Sequence, residues 1–370
     1  MVKFMFHRLL AALVLGALAF SNQAAASGGC DVSFYSGYQN CVSTGSCSPY
    51  SSPAEYAAAY PQCFPGGSAA AQAQVSASSF QQVGAVSAVL SSRLLAGGGP
   101  TQVAGAPVQS MAAGGKNAWN VWGSVAESDT RQSYTLGGNA KKNDVEVTNS
   151  VVGIDYAIAP GMVIGVSGAF DRGAGSSQAT AVAARQASTI TGYAIAPYIG
   201  YQLSKEFALD ASLGFGAGNI SGAGNMESEG DRLFYAANLN YSRWVKDVQF
   251  SGKLGYLHGE EDFGLSKVNG VAQANTASKS KMDRWMLGVQ AGYWLGNGVQ
   301  PYAGLTYLAD RISSSQGGAG PIGKSAWQWA LGLNFFSLAS GVTGGVAYTQ
   351  EDGRSNQKNS ALSANIGIRF

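Results

Sequence analysis

Two histidines occur in the 370-residue chain, His7 and His258. His258 is followed by Glu260, Glu261 and Asp262, and an imidazole among carboxylates can be half of a protease-like dyad or part of a cation site. Four polar residues in a surface loop are also simply solvated. That plainer reading is preferred, because no nucleophile motif accompanies the histidine. The sequence contains no G-x-S-x-G, no H-E-x-x-H and no phosphate-cradling P-loop, so the hydrolase, metalloprotease and nucleotide signatures are missing. The run Gly214 to Gly218 alternates with Phe215 and Ala217, which suits a pleated wall better than a phosphate cradle. No catalytic residue, cofactor site or metal site is assigned.

The remaining reactive side chains are Cys30, Cys41, Cys47 and Cys63, with no cysteine elsewhere. They form no C-x-x-C and have no neighbouring histidine, so a zinc site is disfavoured. An even, clustered set in an exported segment predicts two disulfides, with three connectivities open. If sequence neighbours pair, the two closed loops are short, over 31–40 and 48–62.

Export itself is written at the N-terminus. Lys3 and Arg8 precede an apolar run from Leu9 to Phe20 and the small residues Ala24, Ala25 and Ala26. This is a secretory signal over 1–26, with cleavage expected between Ala26 and Ser27. Lys3 and Arg8 also account for the whole formal charge of +2, so the exported chain is neutral and offers nucleic acid no electrostatic footprint.

The elements that would carry these residues follow from composition. Glycine is 51 of 370 residues and charged residues are only 12%. No apolar run reaches the length of a membrane helix, and mean hydropathy is +0.01, so hydrophobicity must be spread by alternation. Between 27 and 67 the chain is Cys-rich and too small to build a core without staples. The stretch 69–95, within a helical linker over 68–96, places Val75, Phe80, Val83, Val86, Leu90 and Leu94 at three- and four-residue steps. That is one narrow apolar stripe on a helix otherwise made of Ala, Ser and Gln. A Gly/Ala/Pro tether covers 97–115.

From 116 to 370 the period changes to two. Ser360, Leu362, Ala364, Ile366, Ile368 and Phe370 alternate with small or polar residues, as do Tyr193, Ile195, Pro197, Ile199, Tyr201 and Leu203. Twelve such segments occur, near 117–126, 145–158, 161–171, 188–203, 206–217, 232–244, 247–258, 283–295, 299–310, 325–337, 341–350 and 358–370. Tight turns alternate with long polar loops, expected at 127–144, 172–187, 218–231, 259–282 and 311–324. The fold class is therefore all-β: a twelve-stranded antiparallel transmembrane β-barrel, preceded by a helical segment and a small Cys-rich region. Trp119, Trp122, Tyr156, Trp244, Tyr293, Trp294, Trp327, Phe336 and Phe370 are expected in interfacial girdles.

The C-terminal I-G-I-R-F resembles the signal read by the barrel-assembly machinery of Gram-negative outer membranes. The stretch N-A-W-N-V-W-G-S-V-A at 117–126, opening such a barrel behind a helix, is similar to the translocator domain of autotransporters, the type V secretion system. That resemblance implies an outer-membrane location, lipid, the assembly machinery and periplasmic chaperones as partners, a monomeric barrel, and an assembly signal on Phe370, Ile368 and Ile366. It also implies a helix threading the lumen and an N-terminal segment at the cell surface. The short Cys-rich segment departs from the long β-helical passengers of the family. The second function compatible with these residues is a stand-alone diffusion channel or loop-based adhesin. A twelve-stranded barrel has a lumen about wide enough for one helix.

Overall fold

The computed structural model describes residues 119–370, apart from breaks in the connections, together with 82–91, Leu94 and a few positions between 37 and 48. The signal segment with Ala26 and Ser27, the 97–115 tether, and Val75 and Phe80 lie outside the described residues, as do Cys30 and Cys63.

Strands form where the period-two pattern runs: β1 (Trp119–Leu136), β2 (Asn139–Ala159), β3 (Met162–Gln178), β4 (Gln186–Gln202), β5 (Phe207–Gly222), β6 (Met226–Val245) and β7 (Val248–Phe263). A small hairpin of β8 (Lys267–Val268) and β9 (Val271–Ala272) follows. Then come β10 (Ser278–Tyr293), β11 (Val299–Ser314), β12 (Ser325–Ser337), β13 (Val342–Asp352) and β14 (Gln357–Arg369). Each long strand pairs antiparallel with its chain neighbours, β7 pairing with β10 across the small hairpin. The pairing of β1 with β14, from Asn120↔Arg369 to Gln132↔Gln357, closes the sheet into a twelve-stranded barrel. Closure leaves the long strands no free edge, as a backbone placed in hydrocarbon requires.

Alternation decides what faces out. Val152, Phe170, Ile195, Leu287, Val289, Leu331 and Leu362 are each more than half exposed, while their chain neighbours point into the barrel. Exposure of this kind over a whole wall is stable only against lipid. The outward sets 193–203 and 360–370 point as their alternation predicts.

The strands are longer than their apolar segments. The expected loops 127–144 and 218–231 are mostly paired strand, since β1 runs to Leu136 and β6 starts at Met226. Above the membrane an outward side chain need not be apolar, so the hydrophobic alternation stops while the backbone ladder continues. The β8–β9 hairpin, joined to β6 through Met226↔Val268, has no such alternation and lies within the segment 259–282 expected to be a loop.

The girdle also needs correction. Trp119 is outward and 45% exposed, but Trp122 is inward and buried. Trp244 and Phe336 share the inward parity of their strands, which pair Trp244 with Gln249 and Phe336 with Thr343. Trp122 and Trp244 each follow an outward residue by one position, so parity alone disqualifies them. Outward aromatics nearer the loop side include Phe170, Tyr193, Phe215, Tyr235, Trp285 and Trp327.

Candidate functional site: the occupied lumen

Residues 82–91 form a helix, and Leu94 continues it. Its apolar stripe is the one expected from spacing: Val83, Val86, Leu90 and Leu94 are all buried. What covers them is the barrel's inner wall. Val86, Leu90 and Leu94 pack with Trp122, Val151, Val163, Ala169, Tyr198 and Ala208, which are inward residues of β1 to β5. Val83 joins Ala194, Ala196, Phe234, Leu257, Met282 and Met286. The helix therefore lies inside the barrel.

Its direction follows from its contacts. Gln82 Nε2 donates to Ser167 Oγ at 3.1 Å, and Ser87 Oγ donates to Asp210 Oδ2 at 2.9 Å. Leu90 and Leu94 lie over Gly200, where a Cβ would come within 2.9 Å of both leucine side chains. Gly200 is two residues from the end of β4, beside the turn where Gln202 N bonds Gly161 O. The chain termini of the barrel are at that same end, since Trp119 and Phe370 exchange backbone hydrogen bonds of 3.2 and 3.1 Å. The helix thus starts about mid-wall and ends at the short-turn side. Its N-terminus points toward the long-connection side.

Below the helix's first turn the wall is polar, and its side chains hydrogen-bond one another. Trp122 Nε1 donates to Tyr198 OH at 2.8 Å, Tyr198 OH donates to Asp155 Oδ2 at 3.1 Å, and Asn120 Nδ2 donates to the same oxygen at 2.9 Å. Asp210 accepts from Asn238 at 2.7 Å and Asn240 at 2.6 Å besides Ser87.

Nearer the long connections, the lumen holds two buried ionic clusters. Arg232 Nη1 lies 2.7 Å from Asp171 Oδ1, and its Nη2 lies 3.4 Å from Glu261 Oε1, all three side chains being 0% exposed. The guanidinium reaches across because Gly192 and Gly218 intervene: a Cβ on Gly192 would meet Asp171 and Arg232 within 2.8 Å, and one on Gly218 would meet Glu261. On the far wall Arg284 binds Asp310 through two bonds of 2.8 and 2.7 Å. Arg354 sits 2.8 Å from Asp310 and 3.2 Å from Glu351, and its Nη1 donates to Gly323 O at 2.9 Å, tying two connections together.

Such a lumen can hold a chain segment and close around it. Its fold has relatives among solved structures. It is that of an autotransporter translocator barrel. The translocator domain of NalP from Neisseria meningitidis matches at 13% identity and TM-score 0.52, over 68% of this chain and 88% of that one. The β domain of the Bordetella autotransporter BrkA matches at 15% and 0.53, over 69% and 100%. The transport unit of AIDA-I from Escherichia coli matches at 13% and 0.51, over 78% and 97%. All three are translocator or transport units rather than enzymes. No protein-family model and no curated protein matches the sequence.

The sequence-predicted site residues fall apart spatially. His258 is in β7, within the strand expected over 247–258, and its Nδ1 lies 2.7 Å from Asp283 Oδ1; Glu260, Glu261 and Asp262, expected in a loop, continue the same strand. Tyr256 OH donates to that oxygen at 2.7 Å, and Tyr235 stacks on the imidazole at 4.8 Å between centroids. Glu260 bonds Lys279 and Lys281, whereas Glu261 faces the lumen and Arg232. The four neighbours thus split between two faces, by strand parity. Among the described residues, no three His, Cys, Asp or Glu side chains are placed to hold a metal. Cys41 is joined to Cys47 with Cα atoms 4.4 Å apart, so the pairing of neighbours Cys30 with Cys41 is not the one found. Ile366 and Ile368 share Phe370's outward parity on β14, and Phe370 is 61% exposed. Sequence reasoning missed Ser167, Gly200 and Asp210. The signal for them was only their inward parity.

Proposed function

We propose that this protein is an autotransporter-type translocator of a Gram-negative outer membrane, which carries its own short Cys-rich N-terminal segment outward and anchors it there. The reading is carried by the helix within the lumen, with its N-terminus toward the long connections. Barrel ends at the short turns face the periplasm in this arrangement. A segment ahead of residue 82 then reaches the outside only through the lumen. The Cys41–Cys47 bridge itself closes only a short loop within that segment. Phe370, Ile368 and Ile366 serve as the assembly signal for the barrel-assembly machinery, with periplasmic chaperones upstream. Catalysis is not part of the function, because the Asp283-bound His258 lies on the outer wall with no nucleophile motif beside it.

Epitope tags test this. One inserted at Ser52 is expected to stain on intact cells and to be removed by external protease, while one at Gly161 stains only after permeabilisation. If the Ser52 tag also requires permeabilisation, the protein is a stand-alone channel or adhesin with a periplasmic N-terminal region.

A further inference from the structure

From residue 86 onward the helix repeats itself every fourth residue on the faces that touch the wall. Val86, Leu90 and Leu94 form an apolar row, and Ser87 has Ser91 one turn below it. A slide of one turn, about 5.4 Å, therefore costs such a helix little on its own account. The wall is what distinguishes the registers. Slid one turn toward the long connections, Ser91 would replace Ser87 at Asp210 and Leu94 would take Leu90's seat. Val86 would then face the Ser167 hydroxyl, and Leu94's present seat over Gly200 would lose its leucine. Slid one turn the other way, Val83 would meet the buried Asp210 carboxylate, which would lose a donor. Only the observed register satisfies Ser167, Asp210 and Gly200 together.

We propose that Ser167, Gly200 and Asp210 form a register stop, which fixes where the outgoing chain halts in the lumen; this rests on the translocator reading above. Asp210 is a positioning residue: Asn238 and Asn240 hold its carboxylate still, so it accepts the Ser87 hydroxyl at one height. Gly200 supplies the hollow for two leucines, and Ser167 accepts the Gln82 amide.

Engineered cysteine pairs in the full-length protein, in outer membranes, test the stop. The pair Gln82→Cys with Ser167→Cys reports the observed register, and Val86→Cys with Ser167→Cys reports the one-turn outward slide. Linked peptides are scored by mass. The first pair is expected to cross-link and the second not. Adding Ser87→Ala to the second pair removes the donor while Ser91 remains, and should raise its cross-linking about tenfold or more. Gly200→Leu should abolish the first cross-link while the barrel still shows folded gel mobility. Equal cross-linking by both pairs, or a Ser87→Ala change without effect, would overturn the stop. The Ser52 tag is scored in parallel. A cross-linked 82–167 pair without surface staining means that translocation fails as the function while the docking register stands.

Discussion

Arg232 offers a quantitative test of how the lumen is held. Its guanidinium lies between Asp171 at 2.7 Å and Glu261 at 3.4 Å, and no part of the three side chains is exposed. Arg232→Ala would leave two carboxylates facing each other without water or a cation. Removing one partner of a buried pair typically costs about 3–5 kcal/mol. That is roughly two to nearly four orders of magnitude in the folding equilibrium constant. The control replaces the whole cluster by apolar side chains of similar size: Asp171→Leu, Arg232→Met and Glu261→Leu. Gly192 and Gly218 leave no room for larger ones, since a Cβ on either already meets the cluster. The triple variant should fold within about 1 kcal/mol of the natural chain, because no charge is left buried. Urea titration of the barrel in lipid vesicles, followed by tryptophan emission and by gel mobility of unheated samples, measures both. A single variant losing less than about 1 kcal/mol, or a triple variant losing as much as the single, would show that the cluster is not closed to water as the geometry requires.

Two further outcomes test the outer face. Leu287, outward and 60% exposed, should lose about 2–4 kcal/mol on change to Arg in the same vesicle titration, whereas Gln290→Arg on the lumenal face of β10 should cost much less. Deleting Phe370 should lower outer-membrane levels of the protein, while Arg369→Ala should not, as judged by blotting of fractionated membranes; equal, natural levels of both would discount the C-terminal assembly signal.

Much of this architecture is legible in the sequence. Residue type at period two states which face meets lipid, and Leu362, Ile366, Ile368 and Phe370 carry that message without reference to any other strand. The helix was legible for the same reason: Val83, Val86, Leu90 and Leu94 mark a single stripe at helical spacing. Cys-rich and apolar segments likewise announce themselves by composition. Where the pattern has no lipid to answer to, the sequence falls silent, so β1 and β6 extend into segments expected to be loops. Trp122 shows a different limit, since its parity was present but its partner Tyr198 lies 76 residues away. Which inward side chains meet is set by register and by closure of β1 on β14. Those brought Asp171, Arg232 and Glu261 together from three strands, and placed Ser167, Gly200 and Asp210 around the helix. Local sequence fixes the face of each residue, because a side chain's direction depends on its own backbone. Its neighbour across the lumen depends on the hydrogen-bonded height of every strand between, and only the closed barrel settles that.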